Sequence, residues 1–149
     1  MKFLINYSNR ELNIWAELIL NILVSLFFFS KIFTSNQLDG EALVQIISTT
    51  IILAIIYSII FFGAINALTK REEKDERDYI YELKSYRISY YLSHGGILGI
   101  ICLIVFNALY QENIGLLTPP KISMILLIIA LLSSTGKSLT QLFNYRKNI

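Results

Sequence analysis

Residues 42–68, ALVQIISTTIILAIIYSIIFFGAINAL, form a continuous stretch without a single charged side chain. A helix crosses the roughly 30 Å of hydrocarbon in a bilayer with about 20 apolar residues, because each residue adds about 1.5 Å. Three more apolar stretches of comparable length cover residues 12–33, 88–110 and 122–142. The sequence therefore predicts an all-α fold, an integral membrane four-helix bundle in which residues 1–149 form one transmembrane domain.

The charged residues are few and unevenly distributed. They make up 16% of the chain, against 54% hydrophobic residues. If the four stretches span the membrane, all but two of the 13 Lys and Arg residues lie on the side that holds both termini, and only Lys31 and Lys121 lie on the other. Short loops rich in Lys and Arg stay in the cytoplasm, so we predict a multi-pass protein of the cell membrane with both termini cytoplasmic. The net charge of +2 then reflects topology, and the expected surroundings are the lipid bilayer and not a nucleic acid.

The connection between the second and third spans differs from an ordinary loop. Residues 69–87, TKREEKDERDYIYELKSYR, contain neither Gly nor Pro and are typical of a helix. The chain must still reverse, and Asp75 followed by Asp78 is a good N-cap, which places the turn near residues 72–75. We therefore predict a cytoplasmic helical hairpin extension, whose second arm continues into the third span and carries an apolar stripe of Tyr79, Leu83, Tyr86 and Tyr90.

Polar residues recur along one face of the first span. Their spacings of three and four residues place all of them on one side of a helix: Arg10, Asn13, Glu17, Asn21 and Ser25. A charged side chain near the middle of a bilayer costs about 2.5–3.5 kcal/mol on insertion scales, so such a face is expected to meet protein or a cavity.

The other three spans place polar residues at a similar depth. Together with Glu17, the side chains of Asn66, His94 and Lys137 form a predicted polar layer, next to which Asn21 lies one turn further along the first span. The nearby glycines would allow close helix approach or room for a ligand: Gly63, Gly95, Gly96 and Gly136. One interpretation of the layer is a structural clamp in which Glu17 pairs with Lys137 and the lysine extends toward the inner interface. The other is a cytoplasm-facing binding or proton-coupling site. The predicted binding residues are Glu17, Asn21, Asn66, His94 and Lys137.

The sequence offers no pattern typical of a catalytic or metal site. His94 has no second ligand three or four residues away, and the lone Cys102 cannot form an internal disulfide. Ser93 and His94 are adjacent in a helix and point about 100° apart, which does not suit a nucleophile and its base. We therefore expect no enzyme activity, no cofactor and no metal.

The segment Asp75-Glu76-Arg77-Asp78, followed by Ile80, Lys84-Ser85 and Arg87, resembles the inner-loop motif of small four-pass bacterial membrane proteins of unknown function. The resemblance covers about residues 75–90 and the arrangement of the spans. Such families are often encoded beside helix-turn-helix regulators, which implies a membrane-bound regulatory partner. On this chain the partner-binding residues would be Asp75, Glu76, Arg77, Asp78, Lys84 and Arg87.

A second resemblance is to the small multidrug resistance exporters, which have four spans and an essential glutamate in the first. The segment Trp15-Ala16-Glu17 would supply that glutamate. The long charged connection and Lys137, which can neutralise Glu17, depart from that family's pattern.

Two functions follow from the sequence. The first is a non-enzymatic small integral membrane protein whose cytoplasmic hairpin binds a regulatory protein partner or anionic lipid. The alternative is a small proton-coupled transporter that uses Glu17. The sequence leaves open whether one chain suffices or two chains form a homodimer that completes a cavity.

Overall fold

The computed structural model describes residues 9–35, 39–68, 75–110 and 118–147, and almost all of them are helical. The four helices are α1 (Asn9–Thr34), α2 (Gly40–Leu68), α3 (Glu76–Tyr110) and α4 (Pro119–Lys147). Each is long and apolar enough to cross a membrane. The predicted all-α class and the four predicted spans are therefore confirmed. The helices extend past the predicted apolar stretches because their charged end turns are also helical.

The N-termini of α2 and α3 are capped by aspartates. The Ala42 amide donates to Asp39 Oδ1 over 2.8 Å at the start of α2. At the start of α3, the Asp75 amide donates to Asp78 Oδ2 over 3.0 Å, while the Asp78 amide donates to the Asp75 carbonyl oxygen over 3.1 Å. The Asp75 carboxylate accepts from the Glu76 amide over 2.7 Å, so Asp78 supplies one half of a capping box and the other half is absent between these two residues. Asp75 directly precedes the first helical residue, as predicted for the N-cap.

The second arm of the predicted hairpin, from Glu76 onwards, is continuous with the rest of α3. Residues 69–74, which hold most of the predicted turn and the end of the first arm, lie outside the described residues. With 35 residues at 1.5 Å each, α3 is about 52 Å long, far more than the roughly 30 Å that a bilayer's hydrocarbon requires.

Helix α4 is the centre of the assembly. Among the described residues it contacts α1, α2 and α3, whereas α3 contacts α4 alone and α1 also packs on α2. At the contact between α3 and α4, glycines permit close approach: a Cβ atom on Gly96 would lie 2.7 Å from Ile129, and one on Gly136 would lie 2.7 Å from Leu92. Among the described residues, a Cβ atom on Gly63 or Gly95 would meet nothing within 4 Å, so these two glycines border open space and do not bring helices close together.

The helix ends that the predicted topology assigns to the same side of the membrane lie close together. Glu17 of α1 contacts Lys137 of α4, and Asp78 of α3 contacts Tyr145 of α4. This end holds the start of α1 and α3 and the end of α2 and α4, and we call it the inner end, after the predicted orientation. At the opposite, outer end, a Cβ atom on Gly40 would lie 3.6 Å from Pro120.

Candidate functional site

An ion pair joins α1 to α4 within the apolar part of the assembly. Lys137 Nζ donates to Glu17 Oε1 over 2.9 Å and to Oε2 over 3.2 Å. The side chains are 19% and 24% exposed, for Lys137 and Glu17 respectively. Lys137 Nζ also lies 4.8 Å from the centre of the Tyr86 ring, a distance typical of a cation–π contact. The pair predicted from the sequence is therefore present, and Lys137 turns toward its neighbours on α1 and α3.

A second polar contact connects the same two helices one turn further from the inner end. Asn21 Nδ2 donates to Ser134 Oγ over 2.9 Å, and Asn21 is buried. Because Asn21 follows Glu17 by four residues, both side chains lie on one face of α1. The polar face of the first span is thus directed at α4, as its spacing predicted. The side chain of Arg10, at the start of this face, lies outside the described part of the chain.

The remaining residues of the predicted polar layer are not brought to this pair. His94 is exposed, and its Nδ1 lies 3.2 Å from the Tyr90 carbonyl oxygen of its own helix, with the two rings 3.8 Å apart. Asn66 is also exposed, near the end of α2. The prediction of one four-residue layer is wrong because equal depth does not fix the rotation of a helix, and α3 turns a different face toward α4.

The face of α3 that meets α4 carries serines. Ser133 of α4 lies between two hydroxyls of α3, with Oγ distances of 2.6 Å to Ser89 and 2.7 Å to Ser93, and it donates to the Ser89 carbonyl oxygen over 2.9 Å. Sequence reasoning missed this cluster. The four-residue spacing of Ser85, Ser89 and Ser93 is the signal that indicates it.

Aromatic side chains connect the helices at the inner end. The Tyr145 hydroxyl donates to Asp78 Oδ1, and the Tyr145 ring packs edge-on against Tyr81 with centres 5.2 Å apart. The Arg146 guanidinium lies 5.3 Å from the centre of the Trp15 ring. These aromatic residues therefore connect α1 and α3 to the end of α4, and this role is separate from any contact with the membrane surface.

The six predicted partner-binding residues divide into two groups. Asp75 and Asp78 form the cap of α3, and Asp78 also accepts the Tyr145 hydrogen bond, so their contacts serve the fold. The other four are exposed on α3: Glu76, Arg77, Lys84 and Arg87.

A cavity of about 170 Å³ lies at the inner end, next to the ion pair, and every helix contributes to its wall. Its lining includes Asn13, Ile14, Glu17, Phe62, Asp78, Glu82, Lys137, Gln141 and Tyr145. Within the described ranges, no three His, Cys, Asp or Glu side chains are grouped so as to hold a metal ion.

Four helices that are long and apolar enough to cross a membrane, joined by partly buried polar contacts, are consistent with an α-helical, multi-pass membrane protein. Comparison with protein-family models, with curated proteins and with solved structures finds no match to this chain. The function must therefore be argued from the geometry of the chain alone.

Proposed function

We propose that this chain is a non-enzymatic integral membrane protein whose inner segment of α3, residues 76–87, binds a cytoplasmic regulatory protein. The observation that carries the proposal is a group of large apolar side chains exposed on a part of α3 that extends past the hydrocarbon. Leu83 is 69% exposed, Tyr79 52% and Ile80 50%. All three are thus at least half exposed.

The length of α3 supports a position of these side chains outside the hydrocarbon. If residues 88–110 span the membrane, residues 76–87 extend about 18 Å beyond it at 1.5 Å per residue. The headgroup region accounts for only about 5–8 Å of this on each side. Tyr79 and Ile80 then lie in water, where exposed apolar groups of this size are typical of a protein-binding surface.

The inner segment suits recognition as a preformed helix. Its start is capped by Asp75 and Asp78, and the Tyr145 contact ties it to α4. Exposed Glu76 and Arg77 flank the apolar side chains and supply a polar rim. A partner with an apolar groove and complementary charges would receive this helix in the manner of other helix-in-groove complexes.

The alternative, proton-coupled transport through Glu17, receives less support from the geometry. A transporting carboxylate has to exchange a proton and substrate, whereas both oxygens of Glu17 contact Lys137. This arrangement favours the structural clamp, and transport stays an untested prediction.

Site-specific photo-crosslinking in living cells tests the proposed docking. A photoreactive amino acid replaces Leu83, and the matched control replaces Phe143, which is 67% exposed near the inner end of α4. We expect a discrete protein adduct from position 83, its loss when Ile80→Gln is added, and no such adduct from position 143. An absence of any protein adduct at 83, or the same adduct from both positions, would contradict the proposal.

A further inference from the structure

Two basic side chains of α3 lie together on the face that points away from α4. Lys84 and Arg87 are three residues apart and exposed, whereas Ser85 is fully buried and Ser89 bonds to Ser133 on the opposite face. Residues at this spacing have Cβ atoms about 5–6 Å apart, so both side chains can reach one anion. Within the described part of the chain, neither Lys84 nor Arg87 forms an ion pair.

The two basic residues line a groove on the surface of α3. Its walls are Ile80, Leu83, Lys84, Tyr86, Arg87 and Tyr90, which we call the basic groove, and its volume is about 520 Å³. The groove therefore combines two positive charges with aliphatic and aromatic surface. An anionic phospholipid has the complementary combination, because one glycerol unit carries both its phosphate and its acyl chains.

The position of the groove along α3 matches the depth of lipid phosphates. Arg87 directly precedes the predicted span, and Lys84 lies about 4.5 Å further out at 1.5 Å per residue. Both charges thus fall within the headgroup region, which is about 5–8 Å thick on each side. Arginine binds phosphate through two parallel N–H bonds, and lysine adds a mobile positive charge.

We propose that the basic groove binds the phosphate of an anionic phospholipid in the cytoplasmic leaflet, with the acyl chains running past Tyr90 toward the bilayer centre. The inference rests on the proposed function in one respect, the placement of residues 76–87 at the cytoplasmic surface. The lipid site shares Ile80 and Leu83 with the protein-docking surface. A regulatory protein that binds α3 would then contact headgroup and helix together.

Lipid binding to the purified full-length protein in a neutral detergent tests this site without any cytoplasmic protein present. Native mass spectrometry compares phosphatidylglycerol with phosphatidylcholine of identical acyl chains, and inorganic phosphate in a separate titration. The test variant is Lys84→Gln with Arg87→Gln. The control is Lys31→Gln with Lys147→Gln, two exposed lysines outside the groove that give the same change of charge.

We expect phosphatidylglycerol to bind more tightly than phosphatidylcholine, and inorganic phosphate to bind far more weakly. Each basic residue near an anionic headgroup contributes a factor of about 5, so the test variant should lose tenfold or more of this affinity. The control should lose much less, and Lys84→Arg with Arg87→Lys should retain most of the binding. Equal melting temperatures of the variants would establish that the fold is intact.

Retention of the phosphatidylglycerol preference in the test variant would overturn the proposal, as would equal binding of the two lipids. Saturation by inorganic phosphate at the same concentration would replace the lipid by a soluble phosphate ligand. If the test variant keeps its lipid preference but loses the protein adduct at position 83, the groove binds the protein partner and not a lipid.

If the test variant loses lipid binding and no protein adduct forms in any variant, the lipid proposal is supported and the protein-docking proposal is contradicted.

Discussion

At the scale of single residues, Lys137 illustrates how a charge is kept within a membrane protein. A lysine near the end of a helix usually extends to the membrane surface, because its flexible stem can place the ammonium in water. Here the ammonium contacts both oxygens of Glu17 and the face of Tyr86. Opposite charges at this distance stabilise one another. The pair also determines which face of α1 is directed at α4.

The first prediction concerns this pair. We expect Glu17→Gln to lower stability by about 1–3 kcal/mol, because it leaves Lys137 without its counter-ion; the loss is below that of a fully buried pair, since both side chains are partly exposed. Adding Lys137→Met should recover much of the loss. Thermal unfolding in detergent measures both. A Glu17→Gln variant with unchanged stability and lost proton-coupled efflux would support the transporter instead.

The sequence predicted this pair, but not the surroundings of His94. The spacing of Asn13, Glu17 and Asn21 identified one polar face, and a polar face in a span has to meet protein. His94 lies between Tyr90 and Leu98 on its own face of α3, so no run of polar residues at helical spacing indicated its direction. Its own helix supplies its contacts, through the Tyr90 ring and carbonyl oxygen.

At the scale of helices, small residues decide how α3 meets α4. In lipid, apolar side chains gain little by moving from lipid to a neighbouring helix, so close packing and hydrogen bonds determine the contact. Gly96 allows Ile129 to approach the backbone of α3, and the Ser133 cluster adds interhelical hydrogen bonds. The hydropathy pattern did not reveal this face, because lipid-facing and helix-facing positions of α3 are both largely apolar.

The second prediction separates packing from helix propensity. We expect Gly96→Ala to cost about 1–3 kcal/mol, because its Cβ would lie 2.7 Å from Ile129 and force α3 and α4 apart. The matched control is Gly99→Ala, one turn along the same helix, where no atom of the described residues lies within 4 Å of the new Cβ.

The control should be neutral or stabilising by up to about 1 kcal/mol, the usual gain of alanine over glycine in a helix. Thermal unfolding in detergent of the two variants measures the difference. Equal effects at the two positions would contradict the assigned contact between α3 and α4.

At the scale of the whole molecule, the sequence predicted the number and approximate limits of the spans, but not their arrangement. Length and hydropathy determine which segments can cross a bilayer, whereas the neighbours of each helix depend on a few polar and small residues. The central position of α4 follows from its contacts through Lys137, Ser133 and Tyr145 with residues of α1 and α3.

The third prediction concerns orientation. In a Cys102→Ser background, a cysteine at Gly40 should react with an impermeant thiol reagent added to sealed cells, because it lies at the outer end. A cysteine at Glu76 should react only after the cells are opened, since the basic residues place its end of the molecule inside. Labelling of position 76 in sealed cells, with none at 40, would reverse the topology and remove the basis for a cytoplasmic partner.

The pairing of Glu17 with Lys137 also has a consequence for biogenesis. The two residues are 120 positions apart, so a ribosome that adds about 5–20 residues per second completes Lys137 about 6–24 s after Glu17. Throughout that interval the carboxylate of the nascent chain lacks its counter-charge. The contact that joins α1 to α4 through this pair can therefore form only when synthesis is nearly complete.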